Sequence, residues 1–180
     1  FQARVGEIHA MRGRDEQAEK VFAGLVDLAK KQIVREPRDL VGLARAYMWY
    51  RHGGSPAEQV LVEAQRKNKE YLPAYAVLGE VYGTLKVRWA DSRREYMDAL
   101  AKRKNWPPYL MGVIRAVDLR MGRGEDEKKQ MLKKILAVDP SHPGALFHEG
   151  MNHLGNAQWE KSKKTFDRAL ERSPNHIKCL

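Results

Sequence analysis

The chain has 180 residues, of which 43% are hydrophobic and 31% charged, and its formal net charge is +10. This composition is typical of a globular protein and excludes a disordered chain. The single cysteine, Cys179, excludes an internal disulfide framework and a multi-cysteine metal cluster. No apolar run approaches the roughly 18 residues of a membrane span, so we expect a soluble protein, either cytoplasmic or periplasmic.

Helical periodicity runs along almost the whole chain. The apolar stripes, in chain order, are Ala18, Phe22 and Leu25; Ala57, Leu61 and Ala64; Tyr96, Ala99 and Leu100; Leu132, Ile135 and Leu136; and Phe166, Ala169 and Leu170. Gly and Pro residues interrupt these stripes at regular intervals, and the alternation typical of strands is nearly absent. The sequence therefore predicts about ten amphipathic helices of roughly 12–16 residues, joined by short loops.

Small residues recur at a regular interval among these helices. They are Gly6, Ala44, Gly79, Ala116 and Gly150. They are spaced roughly 34–38 positions apart, and larger apolar or aromatic residues follow each of them. This periodicity predicts five degenerate repeats of two helices each. Their boundaries lie at about 1–36, 37–71, 72–108, 109–142 and 143–176.

The repeat pattern resembles the tetratricopeptide repeat, and the last repeat carries the resemblance best. The matching residues there are Gly150, Ser162, Phe166, Ala169 and Pro174. A small residue admits the neighbouring helix, an aromatic residue fills the adjacent space, and proline ends the second helix. The resemblance implies an all-α fold of antiparallel helix pairs, stacked as a right-handed superhelical solenoid. We expect a single solenoid over 1–180, cut at both ends from a longer array.

The resemblance also implies where a partner binds, because the first helix of each unit lines a concave groove in this family. The carried-over positions are Arg38, Val41, Arg45, Met48, Trp49, Glu80, Val113, Val117, Arg120, Phe147 and Met151. The apolar members suit an apolar helix or extended peptide, and the arginines can grip carboxylates. We therefore expect a protein or peptide partner of acidic and apolar character. The alternative is that Trp49 and Met48 only pack against the next helix.

The stretch HEGMNH at 148–153 is one residue longer than the zinc-binding signature HExxH. Histidines five positions apart on a helix point roughly 140° away from each other, so His148 and His153 cannot share one ion. Loops that cradle phosphates or dinucleotides, and CxxC motifs, are missing from the sequence. We therefore predict no catalytic residue, no metal and no cofactor. We assign Gly150 to close helix packing.

Three alternatives to a simple scaffold remain open. Residues 101–140 carry a net charge of +5, so nucleic acid could bind through the basic outer helices of this segment. Helical repeats that read RNA use their inner face, and for this reason we favour a protein partner. The chain could also be a docking or regulatory module of a larger enzyme. Uncapped ends would allow self-association.

Overall fold

The computed structural model describes residues 2–31, 35–50, 53–118 and 124–174. These residues form ten α-helices and no strand, which confirms the predicted all-α class. The helices are α1 (Gln2–Met11), α2 (Asp15–Lys30), α3 (Pro37–Tyr50), α4 (Gly54–Lys67), α5 (Leu72–Thr84), α6 (Trp89–Lys102), α7 (Pro107–Asp118), α8 (Glu125–Val138), α9 (Pro143–Gly155) and α10 (Trp159–Arg172). Residues 175–180, where the expected longer array would continue, lie outside the described residues.

Consecutive helices pack in pairs, with α1 on α2, α3 on α4, α5 on α6, α7 on α8 and α9 on α10. The five pairs follow the chain order of the five predicted repeats, although α7 begins at Pro107, two residues before the predicted start of the fourth repeat. The chain divides into two compact units, Phe1–Lys102 and Arg103–Leu180. In the first unit α3 contacts both α1 and α5, so neighbouring pairs are packed together there. The single solenoid over 1–180 stays a prediction.

A close contact between a glycine and an aromatic ring joins the two helices in three of the pairs. A Cβ atom on Gly6 would lie 2.5 Å from the Phe22 ring, and one on Gly79 would lie 2.8 Å from the Tyr96 ring. Gly150 is equally close to the Phe166 ring. No side chain fits in these gaps, so glycine lets the backbone of one helix approach the ring of the next. The packing role predicted for Gly150 is confirmed.

Two serines tie the same helix pairs together through buried hydrogen bonds. Ser92 Oγ on α6 donates to the carbonyl oxygen of Gly79 on α5 at 2.7 Å. Ser162 Oγ on α10 donates to the carbonyl oxygen of Gly150 on α9 at 2.9 Å. A serine this close to a helix adds a bond worth about 1 kcal/mol and still takes little space. The serines at these positions therefore stabilise the helix pairs by hydrogen bonding, and they are also small enough to allow close packing.

The main core of the first unit lies between α3, α4 and α5. Its buried members are Leu40, Val41, Ala44, Ala57, Leu61, Ala64, Ala74, Val77, Leu78, Val81 and Tyr82. Alanine at three of these positions on α4 and α5 brings the helix backbones close together, and the larger residues fill the space between them. A smaller cluster of Ala18, Phe22 and Ala46 joins α2 to α3.

Acidic residues occupy the first turns of α2 and α8. They are Asp15 and Glu16 in α2, and Glu125, Asp126 and Glu127 in α8. Carboxylates at this end stabilise a helix through its dipole. Gly124 precedes α8 with φ 109°, in the left-handed region where glycine carries no steric penalty. Gly124 therefore forms part of the turn before α8, while residues 122 and 123 lie outside the described residues.

Candidate functional site

Trp49 on α3 is the most prominent of the predicted binding residues. Its side chain is 44% exposed, so a large aromatic surface faces solvent. Its ring is stacked on that of Phe22 of α2, with centroids 6.4 Å apart and planes 12° apart. Phe22 is itself buried against Gly6. Trp49 therefore rests on the packed core, which limits the conformational entropy that it would lose on binding.

A pocket of about 330 Å³ opens beside Trp49. The two aromatic rings and two alanines form its apolar wall, and Asp15 and Glu19 of α2 stand at its polar side. A pocket of this size accepts one or two side chains of a partner. The carboxylates disfavour an acidic group at this point, because like charges in a partly buried site repel.

Arg45 is engaged by a carboxylate of the chain itself. Its Nη1 donates to Glu7 Oε1 at 2.9 Å, and Arg4 Nη1 donates to Glu7 Oε2 at 2.8 Å. Glu7 is only 2% exposed, so it needs these partners to offset its lost hydration. An acidic ligand would have to compete with Glu7 for Arg45. The bond also links α1 to α3.

The remaining predicted residues fall into groups that differ in exposure. Arg38 and Met151 are exposed, as is Trp49; Arg45, Met48, Glu80 and Phe147 are half-buried; Val41, Val113 and Val117 are buried; and Arg120 lies outside the described residues. Met48 packs against the core cluster of the first unit, so the packing role considered for it is real. Phe147 lies against the rings of His148 and Phe166.

The two histidines of HEGMNH take different surroundings. The ring of His148 stands edge-on to Phe147, with centroids 5.5 Å apart. The Nδ1 atom of His153 lies 2.9 Å from Gln158 Oε1 in the turn before α10. Among the described residues, no three His, Cys, Asp or Glu side chains form a group that could hold a metal ion.

A polar cluster that the sequence analysis missed joins α4 to the end of α5. Tyr82 Oη donates to Glu58 Oε1 at 2.8 Å, and Lys86 Nζ lies 2.5 Å from Glu58 Oε2. Burial alone would raise the pKa of Glu58, but the hydrogen bonds from Lys86 and Tyr82 outweigh it and hold that pKa below its usual value. Burial and the bond to Glu58 raise the pKa of Tyr82 to about 12. The cluster therefore acts as a clamp between α4 and α5.

A second and larger opening, of about 540 Å³, lies between α8 and α9 in the second unit. We call it the α8–α9 cleft. Its lining residues are Glu125, Lys128, Lys129, Leu132, Lys133, Leu136, His148, Glu149, Met151, Asn152, Gly155 and Asn156. Met151 alone of these was among the predicted binding residues. A sequence signal existed for four of the others, because polar residues replace apolar ones at matched positions of the repeat: Lys128, His148, Glu149 and Asn152.

Comparison with solved structures identifies the fold. The protein TTC0263 of Thermus thermophilus, a thermophilic tetratricopeptide-repeat protein, matches 99% of this chain and 93% of its own with a TM-score of 0.72 and 21% identity. This chain has the tetratricopeptide-repeat fold. MamA matches 97% of each chain with a TM-score of 0.66 and 18% identity. YrrB, described as a tetratricopeptide-repeat protein with an unusual peptide-binding site, matches 99% of this chain and 88% of its own with a TM-score of 0.60 and 17% identity.

Sequence comparison alone adds no relative. No family model matches the chain, and no curated protein matches it. The tetratricopeptide-repeat fold makes α1, α3, α5, α7 and α9 the first helices of five pairs. Trp49 and Met151 therefore both lie on first helices. Among the described helices, none is long and apolar enough to cross a membrane.

Proposed function

We propose that this chain is a non-catalytic scaffold that binds a segment of another protein. The observation that carries the proposal is Trp49, an exposed tryptophan whose ring is held against Phe22 beside a pocket. Tryptophan is enriched among the residues that dominate protein interfaces. A tryptophan that is already fixed in place loses little rotamer freedom when a partner binds. The tetratricopeptide-repeat fold supports this function, since such folds present helix faces to peptide segments.

The proposal assigns a role to each predicted residue according to the exposure of its side chain. Trp49 and the pocket beside it would hold an apolar side chain of the partner, and exposed Arg38 on the same helix would contact its polar groups. Val41 is buried, so in the proposed site it supports α3 without contacting the partner, and Val113 and Val117 of the second unit are buried as well. Arg45 supports α1 and α3 through Glu7. The main contact of the partner segment at this site is therefore apolar, and its charged groups make a secondary contact.

The test is selection of a random peptide library displayed on phage against the wild-type chain and against Trp49→Ala. We expect peptides that bind the wild type and lose about 30-fold or more in affinity with Trp49→Ala, as for a residue that dominates an interface. Trp159→Ala is the matched control, because Trp159 is 64% exposed and lies outside the Trp49 pocket. Circular dichroism and the unfolding midpoint establish that both variants fold.

Two outcomes would contradict the proposal. Selected peptides that bind wild type and Trp49→Ala equally would remove Trp49 from the site. Preferential binding of RNA, with affinity that falls steeply between about 50 and 200 mM salt, would favour the basic segment 101–140 and nucleic acid instead.

A further inference from the structure

Two matched pairs of neighbouring helices differ in how closely they pack. The pair α8 and α9 has the same helix lengths as α4 and α5, 14 and 13 residues. The connections 68–71 and 139–142 also have equal length. Gly79 and Gly150 occupy the same position in α5 and α9, and each contacts the aromatic ring of the helix that follows. The two pairs can therefore be compared position by position.

The residues between the helices explain why α4 and α5 form a closed pair, packed together, and why α8 and α9 form an open pair, with a cleft between them. In α5, the residues Val77, Leu78 and Val81 are buried in the core with α4. The matched residues of α9 are His148, Glu149 and Asn152, and Lys128 of α8 stands where α4 has Ala57. Polar and charged groups cannot close an apolar interface without losing their hydration. These substitutions keep α9 apart from α8, and the α8–α9 cleft remains.

The cleft has an apolar floor and one basic wall. Leu132 and Leu136 of α8 and Met151 of α9 line it, and Met151 is 45% exposed. Lys129 and Lys133 stand one helical turn apart on α8, about 6 Å along its axis. Both are exposed, and neither forms an ion pair with another residue in the described part of the chain. Two cations at this spacing match carboxylates one turn apart on a second helix.

The other charges of the cleft restrict the partner further. Lys128 is already paired with Asp118 at 2.8 Å and lies 4.0 Å from Glu125. On the opposite wall, Glu149 would repel an acidic group. A partner that fits must therefore be acidic where it faces α8 and uncharged or basic where it faces Glu149. Its apolar side chains must lie between these two flanks.

We propose that the α8–α9 cleft binds an amphipathic helix of a protein partner, with its apolar face on Leu132, Leu136 and Met151 and its acidic flank on Lys129 and Lys133. The cleft is large enough for a few side chains, so such a helix would lie across it and insert two apolar residues one turn apart. The inference rests on the proposed function for the nature of the partner. It uses residues separate from the Trp49 site.

The test uses a fluorescein-labelled helical peptide of about 20 residues, with leucines one turn apart and glutamates along one flank. Fluorescence anisotropy measures its affinity for the full chain. We expect Lys129→Glu with Lys133→Glu to weaken binding about tenfold or more. Lys163→Glu with Lys164→Glu on α10 changes the net charge equally, and those exposed lysines lie outside the cleft. This control variant should stay within about twofold of wild type.

A second variant tests the cleft itself. His148→Val, Glu149→Leu and Asn152→Val together give α9 the residues that α5 has at these three matched positions, with Lys128 of α8 unchanged. We expect this variant to fold, to close the cleft and to lose peptide binding. A peptide with serine in place of both leucines should also fail to bind, because charge alone does not fill an apolar floor.

Several results would overturn the inference. The acidic peptide could bind both lysine variants equally, bind the closed variant as well as wild type, or bind no better than its serine form. An RNA oligonucleotide that competes with the peptide and is insensitive to the closing substitutions would also overturn it, in favour of a general anion surface. Trp49→Ala separates this inference from the proposed function, since it should leave affinity for the acidic peptide unchanged.

Discussion

The closed pair α4 and α5 and the open pair α8 and α9 show that repeats with the same frame can present different surfaces. Both pairs keep the helix lengths, the connection length and the contact between a glycine and an aromatic ring. The residues at the positions of the Glu58–Tyr82 clamp differ in charge between the two pairs. Where α4 and α5 place Glu58 and Tyr82 in a hydrogen bond, α8 and α9 place Lys129 and His153. The frame is thus maintained by a few small residues, and the surface is decided by the residues between them.

The largest expected effect comes from moving the open pair's charge into the closed pair. Leu78→Glu places a carboxylate among buried apolar side chains of α4 and α5, and we expect it to cost more than about 3 kcal/mol in the free energy of unfolding. Leu78→Met, the control, keeps the volume and should cost less than about 1.5 kcal/mol. Urea denaturation measures both.

The reverse change should have a small effect. Glu149→Leu, at the matched position of α9, should leave the free energy of unfolding within about 1 kcal/mol of wild type, because the cleft already leaves this position half-buried. If Glu149→Leu and Leu78→Glu destabilised the chain equally, the distinction between a closed and an open pair would be wrong.

The glycine contacts should respond alike in both pairs, because they belong to the shared frame. Gly79→Ala and Gly150→Ala would each push a Cβ atom into an aromatic ring, and we expect a loss of about 1–3 kcal/mol. Gly24→Ala inside α2 is the control, since nothing lies within 4 Å of its Cβ position. It should stabilise the chain by up to about 1 kcal/mol. A loss of unfolding free energy in only one of Gly79→Ala and Gly150→Ala would contradict the view that the two pairs share this contact.

A smaller effect concerns the buried carboxylate beside the closed pair. Glu95 on α6 accepts a hydrogen bond from Gln65 of α4 at 2.7 Å, and burial raises its pKa. The carboxyl group of Glu95 therefore binds its proton more tightly in the folded chain than in the unfolded chain. Its contribution to stability is present at acid pH and falls as the pH rises through the raised pKa.

Removing the negative charge of Glu95 should therefore increase the free energy of unfolding at neutral pH. We expect Glu95→Gln to stabilise the chain by about 1 kcal/mol or less at pH 7, with the difference shrinking toward pH 4. Thermal unfolding of both forms across this range measures the effect. A difference that grows on acidification would mean that the carboxylate is stabilising in the folded chain, contrary to its burial.

The helix periodicity and the repeat frame were predictable from the sequence. Gly150 and Phe166 lie sixteen positions apart, and the resemblance to the tetratricopeptide repeat implied that they pack together, because a short turn returns the second helix to the first. The acidic helix starts at Asp15 and Glu125 were also predictable, because carboxylates are favourable at the first turn of a helix. These features depend on residues close together in the chain.

Exposure at the predicted binding positions was harder to predict. Val113 and Val117 were predicted to face a ligand, yet both are buried. Arg45 was predicted to grip a partner, but Glu7, 38 positions earlier, already engages it. The cleft could not be predicted from HEGMNH alone. Its meaning depends on what α5 has at the same positions, and on how closely α8 packs.

The most direct test of the account is hydrogen exchange of the backbone amides of α5 and α9, measured with and without the acidic amphipathic peptide. We predict that α9 exchanges faster than α5 in the free chain, since fewer packed side chains hold it. The peptide should slow exchange in α8 and α9 and leave α4 and α5 unchanged. Equal exchange in α5 and α9, with no change when the peptide is added, would contradict both the open cleft and the partner assigned to it.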